Sequence, residues 1–129
     1  MPHRFIASAP GLPPAPSAIS QAVSTDSHCY VSGQLAVDST GVYRAGTARE
    51  EAELAFRNLF TALGAAGFAA TDLVFVDITC IDLADLSEIN AVWDQLFPLD
   101  RRPARTIAQV VALPYGGRIK VQGVAVRER

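Results

Sequence analysis

The run Arg101-Arg102-Pro103-Ala104-Arg105-Thr106-Ile107-Ala108-Gln109 sets a fixed cation at the start of a strand-like apolar segment. A guanidinium keeps its charge and presents a rigid fork of donors. At the mouth of a pocket that fork reads a carboxylate or a phosphate through two parallel hydrogen bonds. Arg105 is therefore the first candidate for a ligand anchor, the plainer alternative being a rim salt bridge. Gly33, closing the run His28-Cys29-Tyr30-Val31-Ser32, allows a close backbone approach beside a serine hydroxyl. Cys29 and Cys80 fall inside predicted strands without metal-ligand spacing, and His3 and His28 stand far apart in sequence, so no metal site is expected.

Composition restricts what such residues could serve. With 129 residues and 50% hydrophobic content, the chain reads as one domain, 1–129, with a proper core. Its 11 Lys+Arg stand against 13 Asp+Glu. No net positive field draws it to phosphate backbones or acidic membranes, so neither nucleic acid nor membrane is expected as partner. No apolar run reaches the ~20 residues needed to span a bilayer, and a cytoplasmic location is the expectation. Pro10, Pro13, Pro14 and Pro16 deny helix to the first 18 residues. That extended segment is expected to wrap over the domain rather than build it.

The elements that would position Arg105 follow from periodicity and caps. Residues 28–32 read as a strand, and Asp38-Ser39-Thr40-Gly41 as a turn into a short arm at Val42-Tyr43. Thr47-Ala48-Arg49-Glu50 has the form of a capping box. It opens a helix whose stripe is Ala52, Ala55, Phe56, Leu59, Leu63 and Ala66, and which stops at Gly67. Residues 72–81 alternate with period two. Val74, Val76, Ile78 and Cys80 share a face predicted to meet a helix; Phe75, Asp77, Thr79 and Ile81 share a mixed face predicted to meet another subunit. A second helix is predicted over 83–97, capped by Asp82, with Leu86, Ile89, Trp93 and Leu96 buried. Strands over 105–112 and 118–126 complete a mixed sheet with its helices on one face, an α+β fold.

Several short motifs recur in order along this framework: Gln21-Ala22-Val23, Val31-Ser32-Gly33-Gln34, Asn58-Leu59, Glu88-Ile89-Asn90, Pro103-Ala104-Arg105, Leu113-Pro114 and Gly123-Val124-Ala125. Together they resemble the RidA (YjgF) family of reactive-intermediate deaminases. The resemblance implies a chorismate-mutase-like α+β domain assembling as a homotrimer with clefts at subunit boundaries. It implies hydrolysis of a small carboxylate-bearing enamine or imine to a 2-keto acid and ammonia, with no cofactor. In that chemistry Arg105 holds the substrate carboxylate while backbone groups near Gly33 and Ile107 orient the reactive carbon. Asn90 would lie near the intersubunit site; on the helix pattern alone it is a surface amide. Ser32 either bonds the substrate or caps a strand end.

This chain departs from the family pattern at two site positions. Ser17-Ala18-Ile19 stands where Gly-Pro-Tyr is common, and Lys120 where a glutamate is common in the final strand. Ile19 brings no phenol to the cleft. Lys120, the second candidate catalytic residue, donates where the glutamate would accept, and beside Arg105 it favours a second anionic group on the ligand. Three functions follow from the resemblance and these departures: a deaminase of altered preference, a non-catalytic trimeric ligand-binding or regulatory protein, and a specialised enzyme acting on a different imine.

Overall fold

A computed structural model describes residues 2–128 of the chain. In chain order it forms β1 (Arg4–Ile6), β2 (Ala22–Ser24), β3 (His28–Gln34), α1 (Ala48–Ala65), β4 (Leu73–Cys80), α2 (Leu86–Leu96), β5 (Ala104–Gln109) and β6 (Ile119–Val126). The strands make one six-stranded sheet in the order β1-β2-β3-β6-β4-β5. Only β4 and β5 run parallel, because α2 carries the chain back between them.

Both helices cover one face of the sheet. The Thr47 hydroxyl accepts from Glu50 N at 3.1 Å, and the Glu50 carboxylate accepts from Thr47 N at 2.9 Å, so the expected capping box starts α1. Ala52, Ala55, Phe56, Leu59 and Leu63 are wholly buried, and Gly67 ends the helix at φ +81°. Asp82 caps a single 3-10 turn that leads into α2, its Oδ1 accepting from Ala84 N. The buried side of α2 is Ile89, Val92 and Trp93; Leu96 is exposed, and Phe97 beyond the helix end turns inward in its place. Phe97 lies 4.5 Å from Trp93 with the rings tilted and meets Phe56 and Phe60 edge-on, tying both helices to one aromatic cluster.

Two expectations need correction. The N-terminal segment does not only wrap: Arg4–Ile6 adds an edge strand, with Phe5 opposite Val23, because these residues precede the prolines and can extend. Within β4 it is Leu73, not Val74, that faces the helices; Val74 is 45% exposed. A register shift between Leu73 and Phe75 against β6 inserts one residue, and one residue moves a side chain to the opposite face. Farther along, Val76, Ile78 and Cys80 are buried as alternation requires, leaving Phe75, Asp77 and Thr79 on the outer face. Asp77 accepts a hydrogen bond from the Thr106 hydroxyl on the neighbouring strand. Cys29 and Cys80 are free and buried, and burial pushes the Cys29 thiol up to about 11.

Candidate functional site

Alternation sorts the candidate residues into two groups. In β6, Ile119, Val121 and Ala125 point to the helices, so Lys120 stands on the outer face. It pairs with Thr79 of β4. Its aliphatic stem lies across Gly33 of β3, where a Cβ would come within 2.7 Å of Lys120 Cδ. The close backbone approach expected of Gly33 is thus a lysine passing over it. Ser32 donates its hydroxyl to Ser20 O at 2.6 Å, binding the strand end to the segment that carries Ile19.

A cavity of about 50 Å³ opens beside these residues, lined by Ile19, Gly33, Leu35 and Tyr115 with Pro13 and Pro16. Buried glutamines build its rim: Gln34 donates to Gln21 Oε1 at 3.0 Å, and Gln21 donates to Pro13 O at 2.9 Å. The first group is therefore Ile19, Ser32, Gly33 and Lys120, held by β3 and β6.

Arg105, Ile107 and Asn90 form the second group. Arg105 pairs with buried Val76 across the parallel ladder, so it points to the helix side of β5. There its guanidinium carbon lies over the ring of Trp93, 4.9 Å from its centroid, a contact that attracts the cation without neutralising it. Ile107, two residues on, packs partly against the core. Asn90 sits one helical turn before Trp93, and its Oδ1 is buried without a hydrogen-bond partner. Among the described residues the ion pairs are Arg44–Asp38, Arg101–Glu128, Arg102–Asp94 and Arg118–Asp85; neither Arg105 nor Lys120 takes part.

Within one protomer the two groups do not meet. β3 and β5 are separated by β6 and β4, about 15 Å at the usual interstrand spacing, and the two cations leave opposite faces of the sheet.

Sequence reasoning missed the cavity's aromatic wall and its support. Tyr115 lines the cavity at φ +65°, a left-handed conformation that costs a non-glycine residue about 1–2 kcal/mol. Its ring stacks 6.2 Å from Tyr43. The Tyr43 hydroxyl in turn donates to Glu51 at 2.6 Å, and Glu51 is only 1% exposed. Glu51 also accepts from Arg118 N at 3.0 Å, fastening the start of β6 to the first turn of α1. Burial, and then the Glu51 carboxylate, push the Tyr43 phenol up to about 12. The sequence signal for Tyr115 was the turn-forming Pro114-Tyr115-Gly116-Gly117; nothing separated Glu51 from an ordinary acidic residue in a helix's first turn.

Fold and cavity together describe a small α+β protein with a small pocket beside β3. Residues 12–127 match the family described as Endoribonuclease L-PSP. A Bos taurus protein named 2-iminobutanoate/2-iminopropanoate deaminase is 41% identical over 117 residues, 88% of this chain and 85% of its own. RidA from the Antarctic bacterium Psychrobacter sp. superposes with a TM-score of 0.89 at 32% identity, covering 96% of this chain and 100% of that one. E. coli TdcF, solved with bound serine, superposes at 0.87 with 29% identity over 97% of this chain and 100% of that one. The chain belongs to the Endoribonuclease L-PSP family, the RidA/YjgF proteins. Among the described residues no helix is long and apolar enough to cross a membrane, and no three metal-ligating side chains cluster.

Proposed function

We propose that this protein hydrolyses reactive 2-imino acids, or the enamines that tautomerise to them, to 2-keto acids and ammonia in a cleft completed by a second copy of the chain in a homotrimer. The observation that carries the reading is Arg105, a guanidinium over Trp93 on the edge strand with no ion-pair partner among the described residues. It is supported by the name shared by relatives at 38–41% identity over most of this chain. The fork takes the substrate carboxylate. A neighbour's Gly33 and Ser32, with the backbone near Ile107, then face the C=N carbon, and Asn90 steadies the adjoining segment.

Water adds to that carbon, the nitrogen takes up protons, and the C–N bond breaks as C=O forms. The iminium is already electrophilic, so the site supplies mainly orientation, and the reading calls for no resident cofactor. Assembly is supported by the half-buried Phe75 and Thr79 on the outer face and by the separation of the two residue groups. The overall acidic charge fits a small metabolite in the cytoplasm better than nucleic acid or membrane as partner.

Lys120, which donates only, favours a second reading in which the cleft binds a small carboxylate without hydrolysing it. Keto-acid release from enzymatically generated 2-iminopropanoate, in competition with semicarbazide, tests the proposal. Release accelerated by the protein supports it; equal release with and without the protein, while small carboxylates still bind, leaves the second reading.

A further inference from the structure

Lys120 is the only lysine in a chain with ten arginines. It emerges from β6, the strand between β3 and β4. On one side its stem covers Gly33, a residue of the cavity wall. On the other, its cross-strand partner Thr79 has an Oγ1 that is buried and unpartnered. No carboxylate among the described residues lies within ion-pair distance of its ammonium. A half-buried cation laid over the cavity wall without a counter-ion, on a strand whose other neighbour carries an orphan hydroxyl, is a polar site missing an anionic partner.

The two cations differ in what they read. The planar fork of Arg105 matches one carboxylate in a fixed orientation, whereas an ammonium on a four-carbon stem is a point charge that accepts an anion over a range of positions. A substrate with one acidic group satisfies only the first. Resting on the deaminase reading above, we propose that Lys120 is a specificity-determining residue that binds a second acidic group, so that the preferred substrates are 2-imino dicarboxylates carrying a short acidic side chain. The reaction itself is unchanged: water adds, the C=N bond is lost, the keto dicarboxylate forms and nitrogen leaves as ammonia.

The test compares wild type and Lys120→Gln on 2-iminosuccinate and 2-iminopropanoate generated in situ. Wild type should favour 2-iminosuccinate by about tenfold or more in kcat/KM, the effect of roughly one charge-assisted hydrogen bond, and Lys120→Gln should bring the ratio near unity. An equal preference in wild type, or a preference that survives Lys120→Gln, overturns the proposal. A second measurement is independent of turnover. Reductive ¹³C-methylation marks the single ε-amine and keeps its charge, and succinate should move that resonance at concentrations where propanoate does not. If neither imine is hydrolysed, the deaminase reading fails. The Lys120 proposal then falls as well if succinate and propanoate act alike on the resonance, and is upheld if succinate alone moves it.

Discussion

Glu51 and the pair Arg105 and Lys120 are charged groups drawn into the same small domain, and they are treated in opposite ways. Glu51 is almost wholly buried, and its oxygens accept from the Tyr43 hydroxyl, Arg118 N and, at 3.4 Å, Gly46 N. Arg105 and Lys120 are half-buried and have no ion-pair partner among the described residues; the first lies over Trp93 and the second over Gly33. A saturated buried charge is a structural clasp, because any change in its surroundings strands a donor. An unsaturated one is available to something outside the protomer. On the proposed reading, the difference separates residues that hold the fold from residues that would meet a ligand or a second subunit.

Replacing the clasp should produce the largest change in stability and the least specific change in function. Glu51→Ala strands the Tyr43 hydroxyl and the Arg118 amide, and each unsatisfied donor costs ~1–3 kcal/mol. Denaturant unfolding should show a loss of about 3 kcal/mol or more; a loss under about 1 kcal/mol would place Glu51 with the exposed acids.

Arg105→Lys should reverse that pattern. The charge remains but the fork is gone, so kcat/KM should fall roughly 10- to 150-fold, the equivalent of ~1.5–3 kcal/mol. Stability should change by no more than the ~1 kcal/mol of an exposed cation–π contact. Full activity in Arg105→Lys would make Arg105 an ordinary surface cation.

Lys120→Glu sharpens the comparison from the other side. A carboxylate there can hold water or accept a proton, so activity on simple 2-imino acids should rise, toward the lower end of the ~10²–10⁴-fold available to a positioned acid–base group. Wild type that already hydrolyses these imines well, and is slowed by Lys120→Glu, would show instead that the lysine belongs to the reaction with monocarboxylates.

The smallest effect concerns pH. The folded Tyr43 phenol is held up to about 12, against an unfolded value near 10. A raised folded pKa gives stability that is complete below the unfolded pKa and is lost as pH climbs through the folded one. Wild type should therefore lose stability between about pH 10 and 12 relative to Tyr43→Phe; identical alkaline unfolding curves would contradict the clasp geometry.

Both helices, the four longer strands and the residue types of the two cations were legible in the sequence, because caps and periodicity are local signals. Strands β1 and β2 are three residues each, too short for alternation to register. The shift at Leu73 and Phe75 depends on β6, so alternation along β4 alone puts Val74 on the wrong face. At the site, Arg105 and Gly33 stood out by chemistry alone. Tyr115 did not, since its place on the cavity wall depends on a left-handed turn and on Tyr43 from a distant loop. That the candidate residues fall into two groups could not be read from order along the chain, because it depends on which strands become neighbours.

Complementation between two damaged copies tests most directly the claim that one subunit's Arg105 serves another subunit's Gly33. Arg105→Ala removes one half of the cleft, and Gly33→Val, whose side chain collides with the Lys120 stem, blocks the other. Each variant alone should be nearly inactive as an assembly of three 13.7 kDa chains. Mixed trimers from co-expression at equal ratio should regain roughly one quarter of wild-type activity, since in a heterologous ring about one site in four draws both of its halves from undamaged positions. Mixed trimers no more active than the separate variants would contradict a site shared between subunits.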